Sequence, residues 1–252
     1  MKIFPFILFF CPLILCAEVL RIDGVDFYYR IPHNPGADSK IMVLFGGRNW
    51  PGDKTLKTYA FDDLADKHRL FLLSPSFRDR DYWNPELWSG KLLKKVIARL
   101  EKHYRLGSPR IFLYGYSAGG QCAALFCQWM PERIAAWGVH ACGVYPEEIK
   151  SFQAPALITC GTEDRERFQI SRQFVYRYRE PGGRLLWKYF PDAGHELSSR
   201  ALEIAKVWFD DLLSGKNVLV YGEDDTQKIG GKIDEEFRNP LYSENLKALW
   251  LR

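Results

Sequence analysis

What this sequence lacks narrows the field before any motif is read. It has no C-x-x-C pair and no cysteine–histidine cluster, so no metal site is spelled out. Beyond residues 1–17 no stretch is apolar enough to cross a bilayer. Neither sign of charge dominates: 35 basic and 31 acidic residues are intermixed, for a net charge of +4. The concentrated basic stripe that marks a nucleic-acid partner is missing, and runs such as Lys91-Leu92-Leu93-Lys94-Lys95 fit the solvated face of a helix. There is no G-x-G-x-x-G fingerprint, no G-K-[S/T] phosphate loop, no internal repeat and no low-complexity tract.

What remains is an ordinary globular composition, 47% hydrophobic and 26% charged over 252 residues, enough for one well-buried domain with a small extension. Residues 1–17 stand apart. Lys2 is their one charge, Ile3 to Cys16 is apolar but broken by Pro5 and Pro12, and Ala17 offers a small residue at a cleavage point. This is the layout of a secretory signal peptide, too short for a membrane span. Export of a soluble mature chain is therefore expected. Lipidation at Cys16 is the poorer reading, because Leu15 is bulky for the position before such a cysteine. Of the six cysteines, Cys122, Cys127, Cys142 and Cys160 lie beyond this leader, inside apolar periodic segments. They read as small buried hydrophobes, although an exported compartment permits a disulfide.

Strand and helix signals alternate along the rest. Val19–Ile22 and Phe27–Ile31 read as short strands about the turn-forming Asp23-Gly24. Ile41–Phe45, Leu70–Leu73, Arg110–Tyr114, Ala135–His140, Ala156–Cys160 and Leu185–Phe190 read as strands, the second stopped by Ser74-Pro75. Helical spacing covers Thr55–Lys67, a segment about Leu92–Leu100, Ala118–Met130, Phe168–Arg179 and Leu197–Leu213. Such alternation predicts a mostly parallel sheet with helices on both faces. From Ser214 onward the character changes. Gly222–Asp225, Gly230-Gly231 and Asn239-Pro240 mark turns, and Ser243–Leu251 could form a helix anchored by Leu246 and Trp250. The expected division is a leader at 1–17, a main domain at 18–214 and an extension at 215–252 packed on that domain.

One turn carries chemistry. Gly115-Tyr116-Ser117-Ala118-Gly119-Gly120 follows a strand and opens a helix. A sharp strand-to-helix turn lifts the serine hydroxyl above the sheet, and its flanking glycines let strand and helix approach. The helix N-terminus also favours negative charge nearby. A serine hydroxyl is a weak nucleophile without a base. Of five histidines, His33, His68 and His103 lie in loops or polar helix ends, and His140 lies in an apolar strand as a hydrogen-bonded core residue. His195 follows a strand through Pro191–Gly194, where an α/β sheet places its working groups. The carboxylate that orients it is expected at Asp164, after Ala156–Cys160, with Glu163 and Glu166 close enough to compete. Two backbone N–H groups must face the oxyanion. Ala118 supplies one, and the loop after Ile41–Phe45 the other, through Gly47 or Arg48.

Taken together, the Gly115–Gly120 elbow, Gly161-x-x-Asp164 and Gly194-His195 resemble the α/β-hydrolase superfamily over roughly Ile41 to Leu213. The likeness is to small secreted esterases of the dienelactone-hydrolase and polyhydroxybutyrate-depolymerase kind, and also to the catalytic domain of prolyl-oligopeptidase-type peptidases. It implies the α/β-hydrolase fold and acyl transfer to water by Ser117, His195 and Asp164, without metal or organic cofactor. Phe45-Gly46-Gly47 departs from the family's usual His-Gly pair, which leaves the geometry of that loop open.

Only about fifteen residues separate His140 from the next strand, an ordinary long connection. A large lid has no room there, so a shallow site is expected, suited to a small or polymer-attached ester. Arg48, Trp50, Tyr116 and Trp83 are candidate substrate contacts; Tyr82, Trp88, Arg78 and Arg80 lie in the same loops. The rival readings are a peptidase of the same fold and an exported binding protein without catalysis. A lone domain without a propeller speaks against the first, and a complete triad against the second.

Overall fold

The computed structural model describes residues 17–79, 81–107, 109–149 and 154–252. The expected leader, Ala17 apart, and Arg80 lie outside the described residues.

The described residues open with a hairpin, β1 (Glu18–Ile22) and β2 (Val25–Arg30), closed by Asp23 and Gly24 at φ 48° and 83°. Two positive φ values define the turn that matches strand twist, and an Asp-Gly pair adopts it readily. There follow β3 (Lys40–Phe45), α1 (Gly52–Tyr59), α2 (Asp62–His68), β4 (Leu70–Pro75), α3 (Gly90–Tyr104), β5 (Ile111–Tyr116) and α4 (Ala118–Trp129). Next come β6 (Ile134–His140), β7 (Ala156–Gly161), α5 (Arg165–Arg179), β8 (Leu185–Phe190) and α6 (Ser199–Leu213). Eight strands form one sheet in the order β1-β2-β4-β3-β5-β6-β7-β8. Pairing is antiparallel through β2 to β4 and parallel from β4 onward.

Strand alternation assigns the helices to faces. Phe112 and Tyr114 point to one side, where they meet Phe209 of α6 and Phe61 beside α2. On the other side Phe71 meets Tyr104 of α3, Phe45 meets Phe126 of α4, and Trp137 meets Phe174 of α5. The core is thus two layers of aromatic and aliphatic side chains, one on each face of the sheet.

Three local readings differ from the structure. Thr55–Lys67 is two helices, broken at Ala60, which is left-handed with φ 49° and ψ 56°. Tyr59 and Phe61 are both fully buried, and Tyr59 donates to Phe45 O at 2.6 Å. Residues two apart on one helix point to opposite sides, so the break is what lets both rings reach the sheet. Ser74-Pro75 belongs to β4, because Pro75 sits at its end opposite Phe27, where a missing N–H is tolerated. Asn239-Pro240 lies within β10 (Arg238–Leu241) rather than in a turn. That strand pairs with β9 (Val220–Glu223) in a two-stranded ribbon, a setting that also tolerates proline. The chain ends in α7 (Glu244–Leu251), with Leu246 and Trp250 buried.

Residues 215–252 lie along β8, the open edge of the sheet. Trp187 N–H donates to Asn239 Oδ1 at 2.7 Å, and Trp187 O accepts from Trp250 Nε1 at 2.8 Å. Side chains of the extension therefore occupy backbone groups that an edge strand otherwise offers to another chain. Beneath them Arg179 is paired with Asp224 at 2.6 Å, and Asn239 is bonded to both.

Candidate active site

β5 runs directly into α4, and Ser117 stands at the junction with φ 55° and ψ −121°. That backbone region is costly for any residue with a Cβ. The neighbours make the turn possible. A Cβ on Gly115 would stand 2.0 Å from Gly119 O, and one on Gly119 would stand 2.1 Å from Phe45 O. Ser117 N–H is held by His140 O at 2.9 Å, at the end of the adjacent strand.

The other two expected residues converge on this serine from later strand ends. Asp164 follows β7 and His195 follows β8, and their loops are fastened together. Thr162 N–H donates to Phe190 O at 3.1 Å, and Glu163 N–H donates to Ala193 O at 2.9 Å. A Cβ on Gly161 would meet Ala193 O at 2.1 Å, so glycine permits this approach. His195 Nε2 lies 2.9 Å from Ser117 Oγ, and His195 Nδ1 lies 2.7 Å from Asp164 Oδ2. The carboxylate only accepts, so Nδ1 carries the proton and Nε2 accepts from the serine hydroxyl. The side chain of Asp164 is 5% exposed and that of His195 34% exposed. The imidazole thus faces solvent while the carboxylate that it meets is sheltered.

Of the three acidic candidates, the structure brings Asp164 to the histidine. Glu163 and Glu166 are exposed, and Glu163 lies 3.6 Å from Arg165. Arg167 reaches Asp164 Oδ1 at 3.0 Å. The spacing of three residues at the start of α5 was the available signal.

Gly47 and Ala118 flank the elbow from two sides. Ala118 opens α4, where the first backbone N–H groups have no intrahelical acceptor. Gly47 lies against the elbow: a Cβ on it would stand 3.2 Å from Tyr116 Cδ1 and 3.1 Å from the Trp50 indole. Gly47 O accepts from Trp50 N–H at 3.0 Å, which makes a turn with exposed Arg48 at its tip.

The four expected substrate contacts fare differently. Trp50 is half-buried, 5.8 Å from the Tyr116 ring, and carries Lys54 Nζ 4.1 Å from its own ring. Trp83 packs edge-on against Tyr82 at 5.3 Å, and Tyr82 Oη accepts from Asn49 N–H, within the Gly47–Trp50 turn. Tyr116 is buried, and its hydroxyl is committed to the protein, donating to His195 O at 3.0 Å.

His140 is buried as expected, with Nδ1 2.9 Å from Thr159 Oγ1 and Nε2 2.9 Å from Glu196 O. Burial pushes its pKa down to about 4. His33 and His68 pair with Asp66 and Asp210, and His103 packs on Tyr104. The four cysteines are free and buried, and burial pushes the Cys127, Cys142 and Cys160 thiols up to about 12. Among the described residues no helix is long and apolar enough to cross a membrane.

No protein-family model matches the chain, and neither does any curated protein. Solved structures do match. A poly(aspartic acid) hydrolase-1 from Sphingomonas sp. KT-1 is 16% identical with a TM-score of 0.60, over 79% of this chain and 98% of that one. LpqC, a poly(3-hydroxybutyrate) depolymerase from Bordetella parapertussis, is 17% identical with a TM-score of 0.57, over 77% and 90%. The fluorophosphonate-binding serine hydrolase FphF of Staphylococcus aureus is 12% identical with a TM-score of 0.59, over 79% and 96%. Likeness at this identity defines the architecture: the chain has the α/β-hydrolase fold, with a mostly parallel central sheet between two helical layers.

Proposed function

We propose that this chain is an exported serine hydrolase that cleaves a carboxylic ester through an acyl-enzyme on Ser117. The observation that carries the reading is the unbroken chain Ser117 Oγ, His195 Nε2, His195 Nδ1, Asp164 Oδ2, with contacts of 2.9 and 2.7 Å, built on a strained elbow. His195 takes the hydroxyl proton as Ser117 Oγ attacks the ester carbonyl. Asp164 holds the ring's tautomer and stabilises the imidazolium. Backbone N–H groups of Ala118 and Gly47 receive the oxyanion. Collapse of the tetrahedral intermediate expels the alcohol, which takes its proton from His195. Water then repeats the sequence and releases the acid.

The fold neighbours named as serine hydrolases and depolymerases support acyl transfer as the reaction class. The exposure of His195 favours a site that admits a small ester or an acyl group attached to a polymer. Trp50 and Trp83 would supply apolar surface beside it, and Arg48 a charge for an acidic substrate. Export rests on the apolar leader, with cleavage near Ala17. The division into a catalytic domain at 18–214 and an extension at 215–252 belongs to the same reading.

A panel of short-chain aryl esters, feruloyl esters and aminoacyl-proline amides tests the reaction class. Ester turnover should exceed amide turnover, and His195→Ala or Asp164→Asn should lower kcat/KM by roughly 10³-fold or more. Rates unchanged by His195→Ala would remove that residue from the mechanism. Amide turnover above ester turnover would move the chain to the peptidases.

A further inference from the structure

We infer that Tyr116 and His140 are positioning residues for His195, together fixing the backbone from which that side chain reaches Ser117 and Asp164. The inference rests on the reading of His195 as the base.

Tyr116 is the last residue of β5 and His140 the last of β6, and the two are paired in register. Paired residues on neighbouring strands project from one face of a sheet, so the two side chains stand side by side below the loop that follows β8. Their rings stack at 5.9 Å and 24°, and Tyr116 stacks on His195 itself at 5.4 Å and 29°. Each then donates one hydrogen bond upward. Tyr116 Oη–H reaches His195 O at 3.0 Å, and His140 Nε2–H reaches Glu196 O at 2.9 Å. Two consecutive carbonyls are thereby held from two different strands.

The loop needs such a hold. His195 and Glu196 are exposed, and the chain reaches them through Asp192 at φ 57° and Gly194. The ring is tied at both nitrogens, but contacts at a ring tip do not define where the Cα sits. The carbonyl tethers do.

The protonation state of His140 follows from its partners. A carbonyl only accepts, so Nε2 carries the hydrogen. Burial keeps the ring neutral near pH 7, which leaves Nδ1 to accept from the Thr159 hydroxyl at 2.9 Å. The same hydroxyl lies 3.1 Å from Val139 O.

The test compares the parent with Tyr116→Phe, His140→Leu and His140→Gln. Its readouts are the low-field proton resonance of His195 Nδ1–H and the kcat and KM for a short-chain aryl ester. Tyr116→Phe and His140→Leu should broaden or abolish the resonance. They should lower kcat roughly 10- to 100-fold, as expected for an ångström-scale displacement of a reacting group, with KM within about twofold. His140→Gln, whose terminal amide can donate to Glu196 O, should recover most of both. A folded Tyr116→Phe protein that keeps the parent resonance and kcat overturns the inference, and that variant decides alone if His140→Leu fails to fold. Should the resonance respond in the variants while the parent hydrolyses no ester, the hydrolase reading fails and the tethering of His195 stands.

Discussion

Ser117 holds a backbone conformation that costs on the order of 1–3 kcal/mol for a residue with a side chain, and its surroundings enforce it. Gly119 is a neighbour with no room for a side chain. An added methyl would stand 2.1 Å from Phe45 O and 2.3 Å from Gly46 O, so Gly119→Ala must push the loop after β3 away from the elbow. Its ester turnover is expected to fall at least tenfold, measured beside a thermal melt showing the protein folded. His140 leaves a mark on stability. Its folded pKa is about 4 against about 6.5 in an unfolded chain. Below pH 6.5 the unfolded chain binds a proton that the native one refuses, so stability is fully present above that pH and falls on acidification toward pH 4. The loss amounts to roughly 3 kcal/mol. Urea unfolding across this window should show His140→Gln with a shallower decline than the parent; parallel curves would contradict the account. At this scale the sequence is legible where the constraint is local. Glycine spacing about Ser117 betrays the elbow, whereas the bond from Tyr116 to His195 O spans 79 residues and ends on a carbonyl that any residue provides.

Elements were legible by period and illegible at their breaks. Buried strands announced themselves as apolar runs, and α3 and α6 by three- and four-residue spacing. The division of α1 from α2 did not, because it is dictated by Tyr59 and Phe61 both seeking the sheet. β9 and β10 carry no alternation of their own and are defined by what they cover. That cover gives the C-terminal extension a physical role as the cap of edge strand β8. Trp250 is its anchor, buried and bonded to Trp187 O, while its own carbonyl accepts from Lys188 Nζ at 2.6 Å. Trp250→Ala should cost about 3–5 kcal/mol, read as a fall in the urea midpoint. Exposure of β8 should also bring concentration-dependent aggregation. A variant as stable as the parent would deny the extension this role.

Across the whole molecule, residues 78 apart meet because β5, β7 and β8 all end on one edge of a parallel sheet, the edge where such folds gather their working groups. The same topology leaves the serine and histidine open to solvent, with Trp50 and exposed Arg48 at the rim. The alternation of strand and helix, and with it a mostly parallel sheet, could be read from sequence. The central claim is that Ser117 is an activated nucleophile. It is tested most directly by intact-mass analysis of the folded protein after exposure to a fluorophosphonate, with the adduct mapped by peptide digestion. The account predicts one equivalent bound, on the peptide containing Ser117, and none in Ser117→Ala; a folded parent that takes up no adduct, or carries it on another residue, would contradict it.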